Sequence, residues 1–248
     1  MKPFDEYERF FAFGCSVTNY IWPTWADIIA TEIPNYFNFA RSGAGNLLIA
    51  NSVVEANVTW KFTEKDLVMV MWSSPQREDR YKNGRWLSTG NIYNQDLMDE
   101  SFVTEWADER FYLIRDLALI ESTRGYLDNL PCDFEMLSMV DFADDSNPDI
   151  INLYSDTINS IKQSIKEVSY SGTWPETFFK EKGKGVNGGQ LDYHPRPLGH
   201  LKYLESFCNT TTAMTRYAQM HERNLLGCTY LEDITKHWVP EGYNVERL

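Results

Sequence analysis

"DLVMVMWSSPQR", residues 66–77, begins with an apolar run that is unbroken from Leu67 to Trp72. A strand with one wet face alternates apolar and polar residues, and this run does not. It reads as a central strand covered on both faces, which is the signature of a parallel sheet with helices on either side. Three further segments read as strands of the same sheet: "ERFFAFG" (8–14), "NYFNFA" (35–40) and "DFEMLSMVDF" (133–142). Between them, "WADIIATEI" (25–33) and "LLIANSVVEAN" (47–57) carry apolar residues at helical spacing. Residues 103–125, 150–168 and 197–223 also read as helices. Strands that alternate with helices predict an α/β fold, here a three-layer α/β/α sandwich with a flavodoxin-like parallel sheet.

The 248 residues contain no internal repeat or low-complexity tract and are read as a single domain, 1–248. Two segments depart from the framework. Residues 76–100 are polar and aromatic without a steady period and begin an insertion that runs to about 125. "SYSGTWPETFFKEKGKGVNGGQ" (169–190), rich in Gly and polar residues, reads as a lid loop.

Hydrophobic residues make up 43% of the chain and aromatics 15%, which sets it among globular proteins. A net charge of −13 removes the basic footprint that nucleic acid requires, and Lys and Arg form no cluster suited to an anionic membrane surface. Cys15, Cys132, Cys208 and Cys228 lie far apart with no CxxC spacing, as expected of free thiols in a reducing compartment. The stretch "MKPFDEYERF" has charges where a secretory signal needs an apolar run, and no segment is apolar enough to span a bilayer. A cytoplasmic protein is the expectation, so the sequons at Asn57 and Asn209 are read as chance. Nothing marks an oligomeric state.

In an open α/β sheet, ligands bind beyond the carboxyl ends of the strands. Three polar turns fall there: "GCSVT" (14–18), "RSGAGN" (41–46) and "WSSPQR" (72–77). A fourth polar segment, "LDYHPRPLGH" (191–200), precedes the last helix. A serine hydroxyl becomes a nucleophile when a base takes its proton and a carboxylate orients that base. Ser16, His194 and Asp192 supply those three groups. Taken alone, a "GCS" turn is more often just a strand-to-helix turn with Ser as its cap, and Cys15 more often a small buried filler than a nucleophile. Cys15, His194 and His200 are not grouped as zinc ligands are, and the acidic "DFADDSNPD" (141–149) reads as a solvated turn.

These blocks together resemble the SGNH hydrolases, the GDSL-type esterases and lipases. "GCSVT" is similar to the family's Gly-Asp-Ser-x-Thr block, with Cys15 in place of Asp, and the resemblance makes Ser16 the nucleophile in a small exposed turn. "NFARSGAGN" is similar to the second block and makes Gly43 an oxyanion donor beside the Ser16 N–H. "LDYHPRPLGH" is similar to the last block and makes His194 the base and Asp192 its orienting acid. Asp192 and His194 stand as Asp-x-His, where the family usually has Asp-x-x-His. The third block usually holds an Asn that donates to the oxyanion, and here Ser74 occupies that place. The framework covered is about 8–77 and 133–224, without the insertion.

The resemblance implies hydrolysis of an ester by a Ser-His-Asp mechanism, with no metal and no organic cofactor. The insertion and the lid loop carry Tyr81, Trp86, Tyr93, Tyr170, Trp174, Phe178 and Phe179, with Arg77, Arg80 and Arg85 nearby. Flat aromatic faces with polar neighbours suit sugar rings better than long acyl chains. The expected partner is a small-molecule or carbohydrate ester with a short acyl group, acetyl above all, held by Arg77, Trp86 and Trp174. The alternative is a glycan-binding module on the same scaffold that cleaves nothing.

Overall fold

A computed structural model describes residues 1–93, 98–140, 147–165 and 194–226. Strands β1 (Arg9–Phe13), β2 (Asn35–Asn38), β3 (Asp66–Trp72) and β6 (Asp133–Ser138) form one parallel sheet in the order β2-β1-β3-β6. Counting only these four strands, the order is 2-1-3-4, the flavodoxin-like arrangement. All seven residues of β3 are buried, which is why its sequence shows no alternation.

Neighbouring residues of β1 feed the two helical layers, as the twofold alternation of a strand requires. Phe10 stacks on Tyr36 and meets the edge of Trp25 in α1 (Trp25–Ile29). Phe11 stacks on Phe37 and packs against Phe62, just beyond the end of α2 (Asn46–Trp60). Truncating either ring to Ala would cost about 3–5 kcal/mol, the usual range for a buried aromatic. Helix α2 packs against α4 (Glu109–Asp128), which follows α3 (Glu100–Trp106); α4 in turn meets α6 (Ser155–Ser164), which follows α5 (Pro148–Leu153). On the other side α1 packs against α7 (Pro197–Glu205) and α8 (Thr212–Leu226). The three-layer sandwich expected from the sequence is the architecture observed.

Several boundaries differ from expectation. The helix predicted over 103–125 is broken at Ala107-Asp108, where Asp108 accepts from the Phe111 N–H and caps α4. The predicted 197–223 helix is two helices, interrupted over 206–211. The 150–168 segment likewise divides at Tyr154.

The larger difference lies at 76–100. The insertion is not irregular: β4 (Arg77–Lys82) and β5 (Arg85–Asn91) form an antiparallel hairpin. Its turn is Asn83-Gly84, with φ of 54° and 75°, the pair of left-handed residues that a tight hairpin turn demands. The lid loop at 169–190 lies outside the described residues.

Candidate active site

The connection after β1 runs over one face of the sheet and that after β2 over the other, so the crevice opens at the carboxyl ends of β1 and β3. The Gly14–Thr18 turn lies there. The Cys15 carbonyl accepts from the N–H groups of Thr18 and Asn19 at 3.0 and 3.1 Å. The Thr18 carbonyl accepts from the Thr24 hydroxyl and the Asn38 amide, which pins the turn to the end of β2. The Arg41 N–H donates to the Gly14 carbonyl at 3.2 Å and joins this turn to the next.

Ser16 is 6% exposed, so it is buried rather than the exposed turn residue the sequence suggested. Its N–H and its hydroxyl engage no described residue. Cys15 points into the core, its Sγ 3.1 Å from Met139 Sδ. This turn tolerates no side chain at Gly14. A Cβ there would lie 2.2 Å from Thr18 Oγ1 and 3.2 Å from the Met71 carbonyl. Gly14→Ala is therefore expected to lose about 2–3 kcal/mol in urea unfolding, the scale of overpacking, and Thr18→Ala in the same chain should restore part of it.

The second turn is tied to the third through one buried side chain. Asn46, the first residue of α2, donates from Nδ2 to the Ser73 carbonyl at 2.9 Å and to Asp116 Oδ2 at 2.7 Å. Its Oδ1 accepts from the Ser73 N–H at 2.8 Å. The Ser73 hydroxyl adds a bond to the Ala44 carbonyl. Burial pushes the Asp116 carboxyl up to about 6, against the bonds from Arg115 and Asn46 that favour its charge. Asp79 of β4 accepts from the Gly45 and Leu48 N–H groups and caps α2; burial raises its pKa too, opposed by those two bonds. Ser74 is buried in the third turn, and its hydroxyl accepts from the Gln76 N–H at 3.4 Å.

His194 stands just before α7, its imidazole stacked on Tyr20 with centroids 3.8 Å apart and planes 17° off parallel. The Trp22 indole donates to the neighbouring Pro195 carbonyl at 2.6 Å. His200, buried in α7, bonds the same carbonyl. Residues 20–22 thus lead out of the Ser16 turn and carry the His194 segment. Ser16 and His194 share no hydrogen bond here, which is common before substrate tightens a site.

Arg77 donates from Nη1 to the Ala44 carbonyl and reaches Met139 Sδ at 3.9 Å, so it braces the second turn. Trp86 packs edge-on to Tyr81 and against the core, and its carbonyl accepts from Arg41. Asp192 and Trp174 lie outside the described residues. Tyr20 and Asn46 were missed as site residues: Tyr20 belongs to no motif, Asn46 closes the "RSGAGN" turn without having been given a role, and the partners of both are distant in sequence. The hairpin had a signal, the Asn83-Gly84 pair. Among the described residues, no group of three His, Cys, Asp or Glu side chains could hold a metal, and no helix is long and apolar enough to cross a membrane.

No protein-family model matches the chain, and no curated protein matches it. Solved structures do. A Bacillus subtilis protein, YXIM, is 13% identical with a TM-score of 0.43; the match covers 91% of this chain but only 58% of that one. A member of the lipolytic G-D-S-L family from Veillonella parvula is 14% identical with a TM-score of 0.38, over 86% of this chain and 96% of that one. The lipase Lip_vut3 from a goat rumen metagenome is 12% identical with a TM-score of 0.40, over the same shares.

Proposed function

We propose that the protein is a serine esterase that removes a short acyl group, acetyl above all, from a polar or carbohydrate alcohol. The observation that carries this reading is at the β1/β3 crevice. Ser16 and Gly43 lie in adjoining turns there, and the N–H of neither engages an acceptor among the described residues. A serine with two unspent N–H donors nearby is what acyl transfer needs.

Ser16 Oγ attacks the ester carbonyl while His194 accepts its proton. The carbonyl oxygen, now negative, is held by the Ser16 and Gly43 N–H groups and the Ser74 hydroxyl. The tetrahedral centre collapses, His194 returns the proton to the leaving alcohol, and an acyl-serine remains. Water, deprotonated by His194, attacks the acyl group and frees Ser16. Asp192 holds the tautomer of His194 in which one ring nitrogen is left to accept. Preorganised donors of this kind are worth about 3–4 kcal/mol each, so the loss of the Asn need not abolish turnover, but the Ser74 hydroxyl must compensate or the rate is modest.

Fluorophosphonate labelling tests the reading. Stoichiometric modification at Ser16, with p-nitrophenyl acetate cleaved faster than the octanoate, is the expected result. Labelling without the acetate preference would keep the mechanism and overturn the substrate. One observation favours the alternative of a glycan-binding module: Tyr81 on the hairpin and Tyr93 beyond it present exposed rings. Absence of labelling at neutral pH, with acetylated sugars bound and not cleaved, would decide for it.

A further inference from the structure

The hairpin lies against the Gly43 turn and grips it at nearly every residue. The Ser88 hydroxyl donates to the Ser42 carbonyl at 3.0 Å. The Gly90 N–H donates to the Gly43 carbonyl at 3.1 Å, and Arg77 to the Ala44 carbonyl at 2.9 Å. Asp79, which pairs across the hairpin with Ser88, takes the Gly45 and Leu48 N–H groups. Arg41, at the start of the turn, reaches back to the Trp86 carbonyl. The hairpin is anchored from behind: Glu78, facing opposite to Arg77 and Asp79, bonds the Tyr112 hydroxyl and pairs with Arg115 of α4.

These bonds decide where the N–H groups of the turn point. All peptides here are trans, and in a trans peptide the C=O and the following N–H point in opposite directions. Drawing the Ser42 carbonyl to Ser88 therefore turns the Gly43 N–H away from the hairpin. The next two N–H groups are used within the structure, Ala44 by the Arg41 carbonyl and Gly45 by Asp79. Gly43, at φ 79°, is the position where the left-handed backbone needs a glycine, and a Cβ there would face the Ser88 carbonyl at 3.4 Å.

We propose that the β4–β5 hairpin aims the Gly43 N–H at the oxyanion, with Ser88 as a positioning residue that acts through the Ser42–Gly43 peptide. The inference rests on the esterase reading and gives the hairpin a task in it: the hairpin builds the donor, whatever its rings do with substrate. An oxyanion donor contributes only once charge has developed on the substrate, so its misalignment lowers kcat and leaves KM alone.

The test is steady-state hydrolysis of p-nitrophenyl acetate by Ser88→Ala and Ser88→Thr. Loss of a whole oxyanion donor costs on the order of 100-fold or more; loosening one by removing a single bond should cost about 10-fold in kcat. KM and the thermal midpoint should hold, and Ser88→Thr, which keeps the hydroxyl, should recover most of the rate. An unchanged kcat in Ser88→Ala, a loss confined to KM, or no rescue by threonine would overturn the proposal while the esterase reading stands. A wild-type chain that turns over no ester and takes no fluorophosphonate label would overturn both.

Discussion

Ser16→Ala should remove ester turnover by a factor on the order of 10⁴ or more and leave the fold in place. The factor follows from what the hydroxyl does: without it no acyl-enzyme forms, and only the oxyanion donors and substrate binding remain to accelerate attack by water. His194→Ala should fall as far, and the double variant little further, because nucleophile and base act as one unit. The fold survives because the hydroxyl makes no hydrogen bond to any described residue. Burial of Ser16 is no objection, since Ala fills the same space less one oxygen. Cys15→Ala is the control. It opens a small gap beside Met139 and costs about 1 kcal/mol of stability, yet keeps most of the activity. The measurement is kcat for p-nitrophenyl acetate, with circular dichroism and unfolding midpoints for each variant. A dead Cys15 variant beside a live Ser16 variant would reverse the roles of the two neighbours.

The sheet was legible because its two central strands, β1 and β3, are buried on both faces. Leu67–Trp72 and Phe10–Phe13 have no polar residue to confuse the period, and each stops at a polar turn. The hairpin was not legible by period, because neither of its faces is an ordinary core face. In β4, Arg77 and Asp79 turn toward the backbone of another segment, and Glu78 toward Tyr112 and Arg115. Residues chosen to bond carbonyls and N–H groups are polar, and a polar strand looks like a loop. Its one local signal was Asn83-Gly84.

The site divides in the same way. Ser16 and Gly43 sit in short polar turns at strand ends, and the resemblance carried by those two blocks is what singled them out as candidates. Tyr20 and Asn46 work by reaching residues 174 and 70 positions away in sequence, which no local pattern records. Asn46 also looks like any polar residue at a helix start. Only the packing of α2 on α4 shows that it joins two strand-end turns over a buried carboxylate.

His200, in the segment that carries His194, is a buried group whose protonation opposes folding in acid. Its ring is buried in α7, bonds the Pro195 carbonyl, and leaves Nδ1 without a partner among the described residues. Burial, and then the proximity of His194, push its pKa down from 6.5 to about 3, with the Pro195 bond opposing. The unfolded chain binds this proton more readily than the folded one. The stabilisation is therefore whole above pH 6.5 and is lost as pH falls toward 3, by about 2 kcal/mol at pH 5 and about 5 in full. Asp116 and Asp27, both pushed up to about 6 mainly by burial, run the other way. Their folded forms hold the proton more tightly, so each adds about 1 kcal/mol between neutral pH and pH 5. The wild-type profile is consequently shallow over that window, and the histidine emerges only by difference. His200→Gln keeps a side-chain N–H for Pro195 and cannot take a proton. It should start less stable than wild type at pH 7.5, and the gap measured by urea unfolding should narrow by about 2 kcal/mol at pH 5. A gap that stays constant across that range would mean that His200 titrates normally and does not fix the acid limit of the segment that carries His194.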